Sequence, residues 1–337
     1  MTRQALGADR GESCRSSAAA ATARVQYLQV DAEAAGQRID NFLLARWKGV
    51  PRSHVYRVLR RGEVRVNRGR VRPVYRLCEG DELRLPPVRV ASRDAPPRIS
   101  GHPLADRVLH EDTRFLVIDK PAGLAVHGGS GLSYGAIEAL RGWHPAGKDL
   151  ELGHRLDRDT SGCLLLTKRR SALRHAHAAF RDGQAEKWYV ALLLGHLDRR
   201  RLTVDAPLQR RERGGERFMV VDAAGKPART LFREQQRFAT TTLAQVQIMT
   251  GRTHQIRVHA AHLGVPVAGD SRYAGEAAGR VPGLRRMFLH ASRLRLPDGV
   301  GGWIDVEAPL PAELAHTLDG LRRSSAAVQP EGGDDTV

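Results

Sequence analysis

Apolar residues along this chain recur at three spacings, and each spacing predicts a different kind of element. Short continuous runs, at Phe115–Asp119, Cys163–Lys168 and Glu186–Gly195, read as strands buried on both faces. Alternating or β-rich stretches at Val25–Val30, Glu63–Asn67, Asp81–Leu85, Leu202–Val204 and Phe218–Val221 predict further strands. Two more fall between Thr230 and Met249, and another opens at Phe288–Ala291. Helical spacing joins Ile39, Phe42, Leu43 and Trp47, then Val55, Val58 and Leu59, with Ser53 as the expected cap of the second helix. A helix capped by Ser171 is predicted over Ser171–Asp182, and a final short one from Pro311. Many strands with few intervening helices predict an α+β fold on a mixed, largely antiparallel sheet.

The polar stretches divide the chain. Residues 1–24 are rich in Ala, Ser, Arg and Gly and are expected to be disordered, as is the tail 323–337. Five prolines between Pro86 and Pro103 mark a linker over 87–103. That leaves a small domain at 25–86 and a large one at 104–322. His127–Gly131 is glycine-rich but lacks the Gly-Lys-Ser/Thr that closes a phosphate loop, so a plain loop is expected there. Gly264–Asp270 reads as a tight turn.

Charge adds the class of partner. Lys plus Arg number 54 against 37 for Asp plus Glu, a net +17, which predicts attraction to a polyanion. No apolar run approaches the roughly 20 residues that span a bilayer. Three scattered cysteines make neither a disulfide framework nor a zinc ribbon, so a reduced, cytoplasmic protein is expected. In the small domain Arg57, Arg61 and Arg65 belong to a run of eight arginines on two helices and a hairpin. A solvated face normally mixes signs, whereas this one points to phosphate contacts.

The candidate chemistry lies at His154-Arg155-Leu156-Asp157-Arg158-Asp159-Thr160-Ser161-Gly162, a polar loop that feeds a buried strand. Asp157 between Arg155 and Arg158 is expected to stay ionised, fit for a nucleophile or a general base. The alternative is a surface loop of ion pairs. Further on, His254, His259 and His262 invite a metal reading, but their spacing fits a helix face poorly and no acid completes a set.

Three segments resemble the pseudouridine synthases that modify large ribosomal RNA, and among them the C-type branch. They are His154–Gly162, Lys187-Trp188-Tyr189 with its following strand, and Thr250-Gly251-Arg252-Thr253-His254-Gln255-Ile256-Arg257-Val258-His259. Gly36–Asp40 and Gly62–Asn67 likewise resemble the S4 RNA-binding fold. The resemblance implies an S4-like module followed by a synthase domain that isomerises uridine to pseudouridine in 23S ribosomal RNA, at several sites near the peptidyl-transferase region. It implies Asp157 as the catalytic aspartate, Arg257 as its ion-pair partner, Tyr189 as the ring stacked on the target base, and Arg155 as the side chain that fills the space of the flipped uridine. Ile256, beside Arg257, is expected against the substrate. No cofactor or metal is implied, and the absence of a coiled-coil stripe suggests a monomer. Two rival classes remain open to test: a non-catalytic RNA-binding assembly factor and a metal-dependent nuclease.

Overall fold

In the computed structural model, which describes residues 24–47, 50–88, 104–128, 135–213, 216–279 and 281–326, the chain divides into the units Met1–Ala95 and Pro96–Val337. The extension expected to be disordered lies outside the described residues up to residue 23, as do 89–103 of the linker, 129–131 of the glycine-rich loop, and the tail from 327. The first unit holds β1 (Gln26–Gln29), α1 (Ile39–Arg46), α2 (Arg52–Arg61), β2 (Arg65–Val66) and β3 (Glu82–Leu85). The strands form an antiparallel sheet in the order β1-β3-β2. Ile39 and Leu43 of α1 and Val55, Val58 and Leu59 of α2 bury one face each against Val66, Leu83 and Leu85. Val88 joins the same core, two residues past the predicted domain edge.

Two local expectations give way to backbone geometry. Helix α2 begins at Arg52 directly after Pro51, so Ser53 already lies inside the first turn and is not its cap. A cap residue needs the extended backbone that Pro51 holds. Strand β2 covers only Arg65–Val66, because Asn67 (φ 48°) and Arg68 (φ 66°) turn left-handed and end it. The Asn67 side chain then bonds the Asp81 carboxylate (2.8 Å) and the Glu82 N–H (2.8 Å), fixing the turn.

The second unit is built on β4 (Val108–Glu111), β5 (Phe115–Lys120), α3 (Ala136–Trp143), β6 (Glu151–Leu152), β7 (Ser161–Thr167), α4 (Arg170–Arg181), β8 (Glu186–Leu194) and β9 (Arg201–Asp205). It continues through β10 (Leu208–Arg213), β11 (Glu216–Val221), β12 (Arg229–Arg237), β13 (Thr241–Ile248), α5 (Gln255–His262), β14 (Leu289–Pro297), β15 (Trp303–Glu307) and α6 (Ala312–Ala326). One sheet runs β4-β5-β7-β14-β8-β13-β12-β9, with β6 on β7 and β15 on β14. Among the described residues only β7 and β14 pair in parallel, so the sheet is mixed and largely antiparallel, as predicted. Among the described residues no helix is long and apolar enough to cross a membrane.

All seven residues of β7 are buried, because both faces of the sheet are covered there. Leu164 and Leu166 point to the side of α3 and α5, while Cys163 and Leu165 pack on Ala172 and Ala176 of α4. Helix α4 starts at Arg170 behind an extended Arg169, so Ser171 is a first-turn residue and not the predicted cap. The hairpin β10–β11 was predicted only in its second strand. Leu208-Gln209-Arg210-Arg211-Glu212-Arg213 has almost no apolar alternation to reveal the first. The last helix is 15 residues long, not short, and reaches Ala326 beyond the predicted tail boundary. Leu314, Leu318 and Leu321 recur at helical spacing on the sheet and carry it there.

Candidate active site

The motif loop lies between β6 and β7 and is pinned along its length. At its start the Leu165 N–H donates to Nε2 of His154 (3.1 Å). Burial, with the Lys187 ammonium beside it, lowers the His154 imidazole to about 4, so it stays neutral and keeps that acceptor. In the middle, the Arg158 carbonyl accepts from Lys120 Nζ (3.0 Å) and the Gly123 N–H (2.9 Å). Lys120 is fully buried and also donates to Pro121 O (2.9 Å) and Leu124 O (2.8 Å). Burial lowers it to about 7, yet each of its three ammonium protons has a carbonyl acceptor. At the end, Ser161 Oγ meets His290 Nδ1 (2.9 Å) and accepts from Arg286 Nη2 (3.1 Å).

Gly162 explains why the motif closes on glycine. Its φ is +109°, and a Cβ there would sit 2.2 Å from the Ala291 carbonyl of β14. Only a residue without a side chain lets the loop enter the sheet at its parallel pairing.

Asp157 is reached from the opposite side by Arg257, the third residue of α5. Arg257 Nη1 donates to Asp157 Oδ2 at 3.3 Å. Its other edge is a fork onto Asp270: Nε to Oδ2 at 2.6 Å and Nη2 to Oδ1 at 2.8 Å. Burial opposes the charge on Arg257, and Asp270 ahead of Asp157 more than reverses that, raising its pKa above the ordinary arginine value. The Asp270 side chain is fully buried, and its Oδ1 also accepts the N–H groups of Arg272 (3.0 Å) and Tyr273 (3.2 Å). The Tyr273 ring carries the Arg257 guanidinium, with 5.0 Å between Cζ and the ring centroid. The Tyr273 hydroxyl accepts the Met219 N–H (3.1 Å) and bonds Nδ1 of His254 (2.8 Å). His254 holds a left-handed backbone (φ 53°) ahead of α5, with Nε2 4.0 Å from Asp157 Oδ2. Burial lowers its pKa against the pull of Asp157.

Asp157, His254 and Arg257 face a cleft of about 1000 Å³. Tyr189 stands in its wall, 6 % exposed, its hydroxyl pKa raised first by burial and then by the Asp157 charge. Ile256 is buried in the same wall, and Arg155 is exposed at the rim, its side chain with no hydrogen bond or ion pair among the described residues. The cleft thus joins a carboxylate, a fixed guanidinium, an aromatic ring and an apolar wall, a combination suited to an unstacked base.

Five predicted residues, Asp157, Arg257, Tyr189, Arg155 and Ile256, therefore meet in one place, drawn from three segments of the chain. Arg57, Arg61 and Arg65 lie exposed in the first unit. Arg57 touches His54 Nδ1 (2.6 Å), Arg61 is 3.9 Å from Glu63, and Arg65 bonds the Gly62 (3.2 Å) and Arg68 (3.4 Å) carbonyls. Asp270, Tyr273 and Lys120 were not predicted. Asp270 closes a segment read only as a tight turn and Tyr273 lies past its end, and no local pattern marks a turn aspartate as the partner of an arginine 13 residues earlier. His259 has both ring nitrogens engaged, on Thr230 Oγ1 (2.8 Å) and Ala206 O (2.9 Å), and no group of three metal-ligating side chains occurs among the described residues.

Comparison with known proteins agrees with this geometry. Residues 114–262 match the RNA pseudouridylate synthase family, and residues 37–83 match the S4 domain. The chain is 48 % identical to the ribosomal large subunit pseudouridine synthase C of Yersinia pestis, over 89 % of this chain and 97 % of that one. It is 47 % identical to the protein of that name from Escherichia coli K12, over 90 % and 98 %. Among solved structures it is similar to the human RNA pseudouridylate synthase domain containing 1, with TM-score 0.55 and 28 % identity over 69 % of this chain and 99 % of the other. With a cleft of this composition and near full-length identity to such enzymes, the chain belongs to the RNA pseudouridylate synthase family.

Proposed function

We propose that this chain isomerises uridine to pseudouridine in large-subunit ribosomal RNA, with Asp157 as the catalytic group. The observation that carries the assignment of Asp157 is its place where Arg257, Tyr189, Arg155 and Ile256 converge on one cleft. The reaction breaks the glycosidic bond, turns the base and joins its C5 to the ribose, with no net redox change and no group transferred elsewhere. Arg257 bonds Asp157 and aims it, its own orientation set by the fork onto Asp270. Tyr189 offers a ring for the base to rest on and Ile256 an apolar edge. Arg155, free at the rim, enters the stack that the uridine leaves. The arginines Arg57, Arg61 and Arg65 of the S4-like unit hold RNA phosphates. The proposed targets are several uridines near the peptidyl-transferase region, and the proposed state is a cytoplasmic monomer.

The test is pseudouridine mapping on unmodified large-subunit transcript, with wild-type protein and with Asp157→Asn, without added metal or nucleotide. Wild type is expected to form pseudouridine. Asp157→Asn is expected to lose about 1000-fold or more in turnover while binding the RNA equally well. Equal affinity with no turnover by either protein, on the transcript and on a precursor particle, would establish the assembly-factor reading instead.

A further inference from the structure

The cleft contains a second charged feature that the reaction as described does not use. Lys187 lies on β8 two residues before Tyr189, and both line the cleft. By strand geometry their Cα atoms are about 7 Å apart and their side chains leave the same face. The Lys187 ammonium stands 5.1 Å from the centre of the Phe180 ring and has no hydrogen bond or ion pair among the described residues. On another side it faces bare backbone: a Cβ on Gly251 would lie 3.7 Å from Nζ. Arg252, next along, uses Nε on the Pro227 carbonyl (2.9 Å) and leaves both terminal nitrogens without a partner among the described residues. Burial lowers Lys187 to about 8, with the Arg252 charge adding to it.

The carboxylates of the same cleft are already committed. Asp157 has Arg257, Glu151 has Arg141 (3.2 Å), and Glu138 accepts the N–H groups of Gly128 (3.1 Å) and Gly135 (3.0 Å). The contrast with Lys120 is instructive, since that buried lysine gives every proton to a carbonyl. A half-buried ammonium beside a second cation, with no anion to balance them, is a costly arrangement unless a ligand brings the anion.

We infer that Lys187 and Arg252 form a subsite for a backbone phosphate of the RNA strand, beside the pocket that takes the uridine. This rests on the functional reading above. Lys187 and Tyr189 leave the same face of β8 into the same cleft, so a strand whose base rests on Tyr189 carries its backbone past Lys187. Binding there ties the strand at the point where the base leaves it, so the charge acts on RNA affinity and on the register of the flipped base.

The experiment is RNA affinity as a function of salt, for the full chain with wild-type sequence, Lys187→Gln and Lys187→Arg. Losing one phosphate contact on single-stranded RNA removes about 0.7 from the slope of log affinity against log salt. A fourfold rise in salt is therefore expected to cost wild type about 2.6-fold more than Lys187→Gln. Lys187→Arg is expected to restore the wild-type slope, and the saturating single-turnover rate to change less than the affinity. A neutral methylphosphonate placed next to the target uridine should weaken wild type but not Lys187→Gln. An unchanged slope in Lys187→Gln overturns the proposal. So does a loss confined to the saturating rate with an altered alkaline limb, which would make Lys187 a proton-transfer group. Absence of pseudouridine from wild type would sink the functional reading, while the slope difference would still report on the anion subsite.

Discussion

Arg257 in the cleft and Arg57, Arg61 and Arg65 in the S4-like unit are the same side chain in opposite settings. Arg257 is buried, with every edge of its guanidinium taken: Asp270 on one side, Asp157 on the other, the Tyr273 ring below. The three arginines of the first unit are exposed and hold at most a neighbouring carbonyl, an imidazole, or a carboxylate at 3.9 Å. A guanidinium gripped on two sides defines a direction and is costly to remove. A loose one supplies charge and little else. Under the proposed function the first setting supplies geometry for catalysis and the second electrostatic attraction for RNA capture.

The largest expected effect comes from ungripping Asp270. Arg257→Met leaves a fully buried carboxylate without its counter-charge, and chemical unfolding should show a loss of about 3–5 kcal/mol together with loss of turnover. A loss under 1 kcal/mol would mean that Arg257 is as loosely held as the surface arginines. Asp270→Asn is the milder break, keeping one acceptor and the shape of the turn. It should cost about 1–3 kcal/mol, and it should lower the single-turnover rate while leaving RNA affinity alone. An affinity loss with an unchanged rate would put Asp270 on the capture side of the comparison.

A smaller effect is predicted from His154. Its pKa is lowered to about 4 in the fold, so between pH 6.5 and 4 the unfolded chain binds a proton that the folded chain does not. This contribution to stability is present above pH 6.5 and is lost as pH falls toward 4, at no more than about 1.4 kcal/mol per pH unit. His154→Gln should flatten the pH dependence of unfolding across that window relative to wild type; parallel curves would refute it. The smallest effect on stability belongs to the combined Arg57→Gln, Arg61→Gln and Arg65→Gln variant, expected within about 0.5 kcal/mol of wild type. Its salt slope for RNA should nevertheless fall by up to about 2, and an unchanged slope would remove these residues from the RNA interface.

Periodicity and composition alone carried the α+β class, the strands β5, β7 and β8, and the inward faces of α1 and α2. These depend on burial, and burial writes a regular pattern into the chain. The caps were misread at Ser53 and Ser171 because a capping residue is chosen by the backbone of the turn before it, here Pro51 and Arg169. The polar first strand of the β10–β11 hairpin left no pattern to read. At the site, Asp157, Tyr189, Arg257, Arg155 and Ile256 were legible because each belongs to a recognisable local string. Asp270, Tyr273, Lys120 and the unpaired state of Lys187 were not.

What the amino-acid order determined by itself is therefore what local interactions can encode: which stretches are buried, where the charge accumulates, and which short strings bear the chemistry. What only the tertiary structure decided is which charges are spent on one another. Asp270 closes on Arg257 because the turn after α5 folds back under it, and Lys120 reaches Arg158 across 38 residues because β5 and β7 are neighbours in the sheet. Among the described residues no acceptor comes within hydrogen-bond reach of Lys187, whose ammonium is packed against the Phe180 ring. Pairing of charges falls steeply with distance and burial, and both are set only when remote segments pack.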